Sequence, residues 1–158
     1  VVPRLRSSLA GLQRQKGEYE AALAQIEAML KDNPNALEPL MEKGRILQAW
    51  AEKDPAKFTD AVNQWASISS KLRGSKDKST QPAYFEVNYN AALCLVTEAE
   101  GTQDQAKKAE KATVAGKLLK GLLYSSPKLD GPENVARYKE LIKRVDKILP
   151  PANTTAKG

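Results

Sequence analysis

Apolar residues recur along this chain at helical spacing almost from end to end. Leu5, Leu9 and Leu12 stand at i, i+4 and i+7, and Tyr19, Ala22, Leu23, Ile26, Met29 and Leu30 form a second stripe. Leu40, Gly44, Leu47 and Ala51 make a third, with Trp50 beside it. Phe58, Ala61, Val62, Trp65, Ile68 and Leu72 are the most regular of all. Residues 83–99 are apolar on several faces, which predicts a helix buried on more than one side. Ala112, Ala115, Leu119 and Leu122 follow, then Val135, Tyr138, Leu141, Ile142, Val145 and Leu149. The pattern predicts an all-α protein of about seven helices, with each stripe turned toward a core and no strand.

Polar punctuation falls between these stripes. Asn35 and Glu38 have the spacing of a capping pair. Asp54-Pro55 places an N-cap acid before a proline whose missing N–H costs nothing at a first helical position. Thr80-Gln81-Pro82 and Asp130-Gly131-Pro132-Glu133 mark two further starts, and residues 74–80 and 101–105 read as loops. Pro150-Pro151 ends the last helix. The helical domain therefore spans residues 3–149, and 150–158 is a polar tail with nothing to bury, expected to be disordered or a linker.

One motif goes beyond periodicity. Gly17-Glu18-Tyr19-Glu20-Ala21-Ala22-Leu23, followed by Pro34-Asn35, resembles the second half of a tetratricopeptide (TPR) repeat. At a period of about 34 residues, Ala10 and Ala22 occupy the places where the family's two helices touch. Gly17 takes the hairpin turn, Tyr19 the aromatic place, Ile26 and Met29 the packing face and Pro34 the exit. Arg6 stands where the family commonly has Trp. The second unit, residues 37–73, matches through Leu40, Gly44 and Leu47. Phe58, Ala61, Trp65 and Ile68 then repeat the spacing of Tyr19, Ala22, Ile26 and Met29 two residues late, which implies a longer turn around 53–55. The third unit resembles the family through Asn90-Ala91-Ala92-Leu93-Cys94-Leu95 and, after an enlarged loop, Ala115, Leu119, Leu122 and Pro127. Residues 132–149 resemble a closing helix. The resemblance implies a TPR-like α-solenoid: about three hairpins stacked in a right-handed superhelix. Stacking is also what the physics asks for, since a lone hairpin cannot bury its faces. Tyr19, Phe58, Trp65 and Leu119 are expected in the core; the place of Trp50 leaves packing and display both open.

Composition removes most alternatives. The chain has 158 residues, one Cys and no His. Without an imidazole, neither a Ser-His-Asp nor a Cys-His nucleophile system can be built, nor most catalytic zinc and non-haem iron sites. Cys94 alone allows no internal disulfide, zinc knuckle or iron–sulfur cluster, and its apolar neighbours make it a small core residue. No Gly-rich phosphate loop occurs. Glu38 and Glu42, one turn apart, read as surface acids rather than an acid–base pair. The expectation is a non-enzyme without metal or cofactor. No apolar run approaches the ~18 residues of a membrane span, and the opening residues do not show the basic-apolar-small pattern of a signal peptide. The chain opens on Val1-Val2-Pro3 rather than Met, as expected of a processed chain or an excised piece. Asn153-Thr154-Thr155 matches a glycosylation sequon. Nothing points to a compartment.

Function is then expected in a surface. In TPR proteins the first helix of each hairpin lines a concave face that takes peptides or partner helices. The resemblance maps that face onto Arg4, Ser7, Gly11 and Arg14, then Glu38, Met41, Arg45 and Gln48, then Glu86, Tyr89, Leu93 and Val96. Of these, Arg14, Met41, Arg45, Gln48, Tyr89 and Leu93 are the expected partner-binding set, with Arg14, Arg45 and Tyr89 as anchors. The chaperone-binding subclass of the family clamps a carboxylate with Lys and Asn. Here the matching places carry Ser7, Gly11, Glu42, Glu86 and Asn90, and two acids would repel such a peptide. The net charge of +6 supports a second reading: nucleic-acid or anionic-surface binding through Lys71, Arg73, Lys76 and Lys78, with Lys107, Lys108 and Lys111. These clusters suit phosphates but lack interleaved aromatics for stacking bases.

Overall fold

The computed structural model describes residues 3–150. Among them are seven α-helices and no strand: α1 (Pro3–Gln15), α2 (Tyr19–Asp32), α3 (Leu37–Ala51), α4 (Phe58–Leu72), α5 (Gln81–Gly101), α6 (Gln105–Ser125) and α7 (Pro132–Ile148). Short 3-10 turns, Pro55–Lys57 and Lys78–Thr80, precede α4 and α5. Beyond Pro150 the polar tail, with its sequon, lies outside the described residues.

Each helix packs on the one before and the one after it, and α1 also touches α3 while α5 touches α7. That is a row of antiparallel hairpins, α1–α2, α3–α4 and α5–α6, closed by α7. The first core is small, built by Ala10, Ala22, Ile26 and Ile46. The second centres on Trp65, fully buried among Phe58, Leu47 and Ile68. The third joins α5, α6 and α7 through Phe85, Leu119, Tyr138 and Leu141. Helix α5 feeds two of them, with Val87, Ala91 and Cys94 in one and Ala92, Leu95 and Val96 in the other. That accounts for its apolar residues on several faces. A small residue lets the two helices of the middle hairpin come close: a Cβ on Gly44 would sit 2.7 Å from the Trp65 ring.

Several local expectations change. Leu5, Leu9 and Leu12 do not face a core; they are 63%, 43% and 55% exposed. Helix α1 is first in the row and meets its neighbours through Ala10, so its leucine row faces outward. Asn35 and Glu38 do not form a capping pair either. Ala36 is the N-cap of α3 without a side-chain bond, the Asn35 N–H donates to Asn33 Oδ1 at 3.3 Å, and Glu38 is engaged by Arg45. The Asp54 cap forms as expected, accepting from the Ala56 N–H at 3.1 Å, with Pro55 opening the turn. Asp104 caps α6 by accepting from the N–H groups of Ala106 and Lys107. The α6–α7 connection holds a core residue that periodicity cannot reveal. Leu129 and Asp130 take positive φ (43° and 61°), which turns Leu129 inward to 1% exposure, and Asn134 Nδ2 donates to its carbonyl at 2.8 Å. Left-handed backbone at a non-glycine residue costs about 1–3 kcal/mol, and burying a leucine offsets roughly that much. Trp50 packs: it stacks on Tyr19 at 5.8 Å, and the Lys57 ammonium lies 4.2 Å from the centre of its ring.

Candidate partner-binding face

Helices α1, α3, α5 and α7 share one face, and side chains far apart in sequence meet along it. Arg14 Nε on α1 donates to Glu42 Oε1 on α3 at 2.7 Å. Arg45 donates to the other oxygen of Glu42 at 3.0 Å and to Glu38 at 2.9 Å. Glu42 is 5% exposed, so both its oxygens are neutralised by guanidiniums that still reach solvent. Burial works against the charge of Arg45, but hydrogen bonds and attraction from Glu38 and Glu42 outweigh it and hold the guanidinium above its ordinary value.

The rail continues across α5. Gln48 accepts from the Trp65 indole N–H at 2.9 Å, and its amide donates to Asn90 at 3.5 Å. Asn90 donates to Glu86 at 3.2 Å, and Arg137 on α7 donates to the second oxygen of Glu86 at 2.9 Å. The same Arg137 lies 4.3 Å from the centre of the Tyr89 ring, which leans on Tyr138 at 5.7 Å. Tyr138 is fully buried; its hydroxyl donates to the Phe85 carbonyl at 2.7 Å, and burial raises its pKa. Farther along, Arg144 donates to Glu100. Leu93 lines a cavity of about 230 Å³ with Gln48, Phe58, Thr97 and Arg144.

Five of the six expected partner-binding residues thus lie on or beside this face: Arg14, Arg45, Gln48, Tyr89 and Leu93. Met41 does not. It is 6% exposed and belongs to the core around Trp65, because α3 turns that flank toward α4. Val96 is likewise fully buried. Glu42 is a shared internal counter-ion rather than an open acid. The arginines of α7 are members of this face that the repeat pattern does not single out. Arg137 and Arg144 stand seven apart, on one side of an otherwise mixed-charge helix, and that spacing is their only signal in the sequence. Among the basic residues around the 74–80 loop, Lys71, in the last turn of α4, reaches back to Asn35 at 3.0 Å.

Other chemistry is sparse. Burial, with Glu52 and Glu98 nearby, pushes the Cys94 thiol up to about 12, so it is no thiolate at neutral pH. Among the described residues no three His, Cys, Asp or Glu side chains gather as a metal site, and no helix is long and apolar enough to cross a membrane. No known protein family, curated protein or solved structure matches this chain.

Proposed function

We propose that the chain is a TPR-type interaction module that takes a peptide or partner helix along the face shared by α1, α3, α5 and α7. The observation that carries this reading is the side-chain rail from Arg14 through Glu42, Arg45, Gln48, Asn90 and Glu86 to Arg137. Its arginines are already fixed by carboxylates, so a partner does not have to order them, and ordering side chains is a main cost of association. Arg45 makes its bonds through one terminal nitrogen, leaving donors of its fork for a backbone carbonyl or carboxylate. Tyr89 and Leu93 supply apolar area beside the rail.

The test is affinity capture by wild type and by an Arg45→Glu, Tyr89→Ala variant, with circular dichroism to show that the variant folds. A partner held by wild type and lost by the variant is the expected result; equal capture rejects this face.

A second reading has an observation of its own. Residues 105–149 hold eleven Lys and Arg against five Asp and Glu, a surplus of six that equals the net charge of the whole chain. Residues 71–78 add four Lys and Arg against one acid, so the basic surface includes α6 and α7 as well as the loop region. Binding of a phosphate-bearing surface there weakens steeply with salt, and groove binding much less, so a salt titration separates the readings.

A further inference from the structure

Leu5, Leu9 and Leu12 account for three of the five large hydrophobic side chains that stand exposed among the described residues. They form one row along α1, at i, i+4 and i+7. Patches this organised mark binding surfaces, whereas single exposed leucines need no explanation. Among the described residues the last helix of the row, α7, has no equivalent and turns Lys139, Lys143 and Lys147 to solvent. The row is rimmed by one sign of charge. Arg4 lies beside it, Arg6 on its other flank and Lys16 one turn past Leu12, and none of the three has an ion-pair partner among the described residues. Residues 3–16 contain no acid. The remaining cation of this segment, Arg14, is committed to Glu42 on the inner side. Asp32 and Glu38, the latter already held by Arg45, share with Arg4 and Arg6 the wall of a cavity of about 620 Å³ at the start of α1.

We propose that this row is a second docking surface, distinct from the face of the rail, and that its occupant is an amphipathic α-helix of a partner protein with acidic residues flanking its own apolar stripe. A row at this spacing is the seam one helix offers another, its ridge fitting a groove of the partner at roughly 8–10 Å between axes. Acids on the partner's rims would meet Arg4, Arg6 and Lys16 at the edge of a desolvated strip, where charge selects the partner and speeds encounter. A second copy fits poorly. Antiparallel pairing of two α1 helices sets Arg4 against Lys16, and stacking α1 on the α7 of another copy sets leucines against lysines. A lipid surface fits less well than a helix, because α1 is held in its hairpin and shows a narrow row rather than the wide apolar face with Trp or Phe of an interfacial helix.

The experiment uses two synthetic helices of about 18 residues, or five turns. Both carry leucines at i, i+4, i+7 and i+11, one with Glu rims and one with Lys rims. Fluorescence anisotropy measures their binding to wild type and to a Leu9→Gln, Leu12→Gln variant, whose unchanged thermal melt shows that it folds. The Glu-rimmed helix is expected to bind wild type at least about tenfold more tightly than the Lys-rimmed one, a free-energy gap of about 1.4 kcal/mol, and to lose its binding to the variant. Absence of binding, or equal binding of both helices, overturns the proposal. So does concentration-dependent self-association in the ultracentrifuge that the variant abolishes, which assigns the row to a second copy. Cosedimentation with phosphatidylserine vesicles that the variant abolishes assigns it to a membrane surface and also overturns the proposal. An Arg45→Glu, Tyr89→Ala control should bind the Glu-rimmed helix like wild type, which keeps this test separate from the groove.

Discussion

Trp65 and Gly44 pack closely in the middle hairpin, and each depends on the other. The indole is fully buried, its N–H is satisfied by Gln48, and its six-membered ring occupies the space that any Cβ at position 44 would need. Trp65→Ala removes that packing and leaves Gln48 without its donor, so it should cost about 3–5 kcal/mol in urea unfolding. Gly44→Ala acts by the opposite mechanism. The ring has nowhere to retreat, so overpacking should cost about 1–3 kcal/mol, and pairing it with Trp65→Phe should recover part of the loss. Cys94 makes a pH-dependent counterpart. Its thiol keeps its proton to about 12 in the folded chain, against an ordinary 9.0. Above about pH 9 the unfolded chain therefore releases a proton that the folded one retains, and stability falls with pH up to about 12, while below 9 this group contributes no slope. Tyr138, also raised, adds to the loss above its ordinary 10.0. Urea midpoints from about pH 8 to about pH 11 should decline in wild type and decline less in Cys94→Ala.

At the scale of helices, α1 is held differently from the rest. Its leucines are outside, its buried contact is Ala10, and its polar tie is Arg14 to Glu42. Glu42→Gln should therefore cost about 1–3 kcal/mol, the usual range for a charge-assisted bond, since the two guanidiniums it pairs remain partly in water. Hydrogen exchange should speed up first in α1, with α5 to α7 unchanged; uniform acceleration would show that the tie supports the whole row. The same helix shows what the sequence can and cannot carry. Helix existence is legible throughout, because a 3.6-residue period does not depend on what the stripe packs against. Which stripe has a neighbour depends on order in the row, so Leu5, Leu9 and Leu12 read as core. Met41 and Arg45 lie one turn apart, but α3 curls one flank toward α4 and the other toward the shared face, a division that spacing alone does not make. Leu129 is hidden because its burial comes from left-handed backbone in a loop, where no period exists. Gly44 is legible as a packing position, since a glycine inside an apolar helical stripe marks a place where a neighbour can come close.

Over the whole molecule, exposed lysines and anchored arginines are different groups. Lys139, Lys143 and Lys147 of α7 stand in solvent, while the rail that fixes Arg14, Arg45 and Arg137 runs along the shared face. These two features should enter binding at different stages. Exposed lysines lose little water and are screened by salt, so they add little to the strength of a finished complex. They do create a field that gathers an acidic partner before contact. An aromatic anchor acts only after docking, through area buried at small entropic cost. Lys139→Gln, Lys143→Gln and Lys147→Gln together should therefore lower the association rate several-fold at low salt, and much less at physiological salt, while leaving dissociation nearly unchanged. Tyr89→Ala should leave association nearly unchanged and speed dissociation, at a cost of about 1–2 kcal/mol in affinity, a typical figure for an interface anchor. Rates by surface plasmon resonance against the captured partner, at both salt concentrations, decide the matter. If the lysine variant abolishes binding and Tyr89→Ala leaves both rates intact, the shared face is not the site. The basic surface of α6 and α7 then becomes the site itself, and the partner is a polyanion rather than a peptide in a groove.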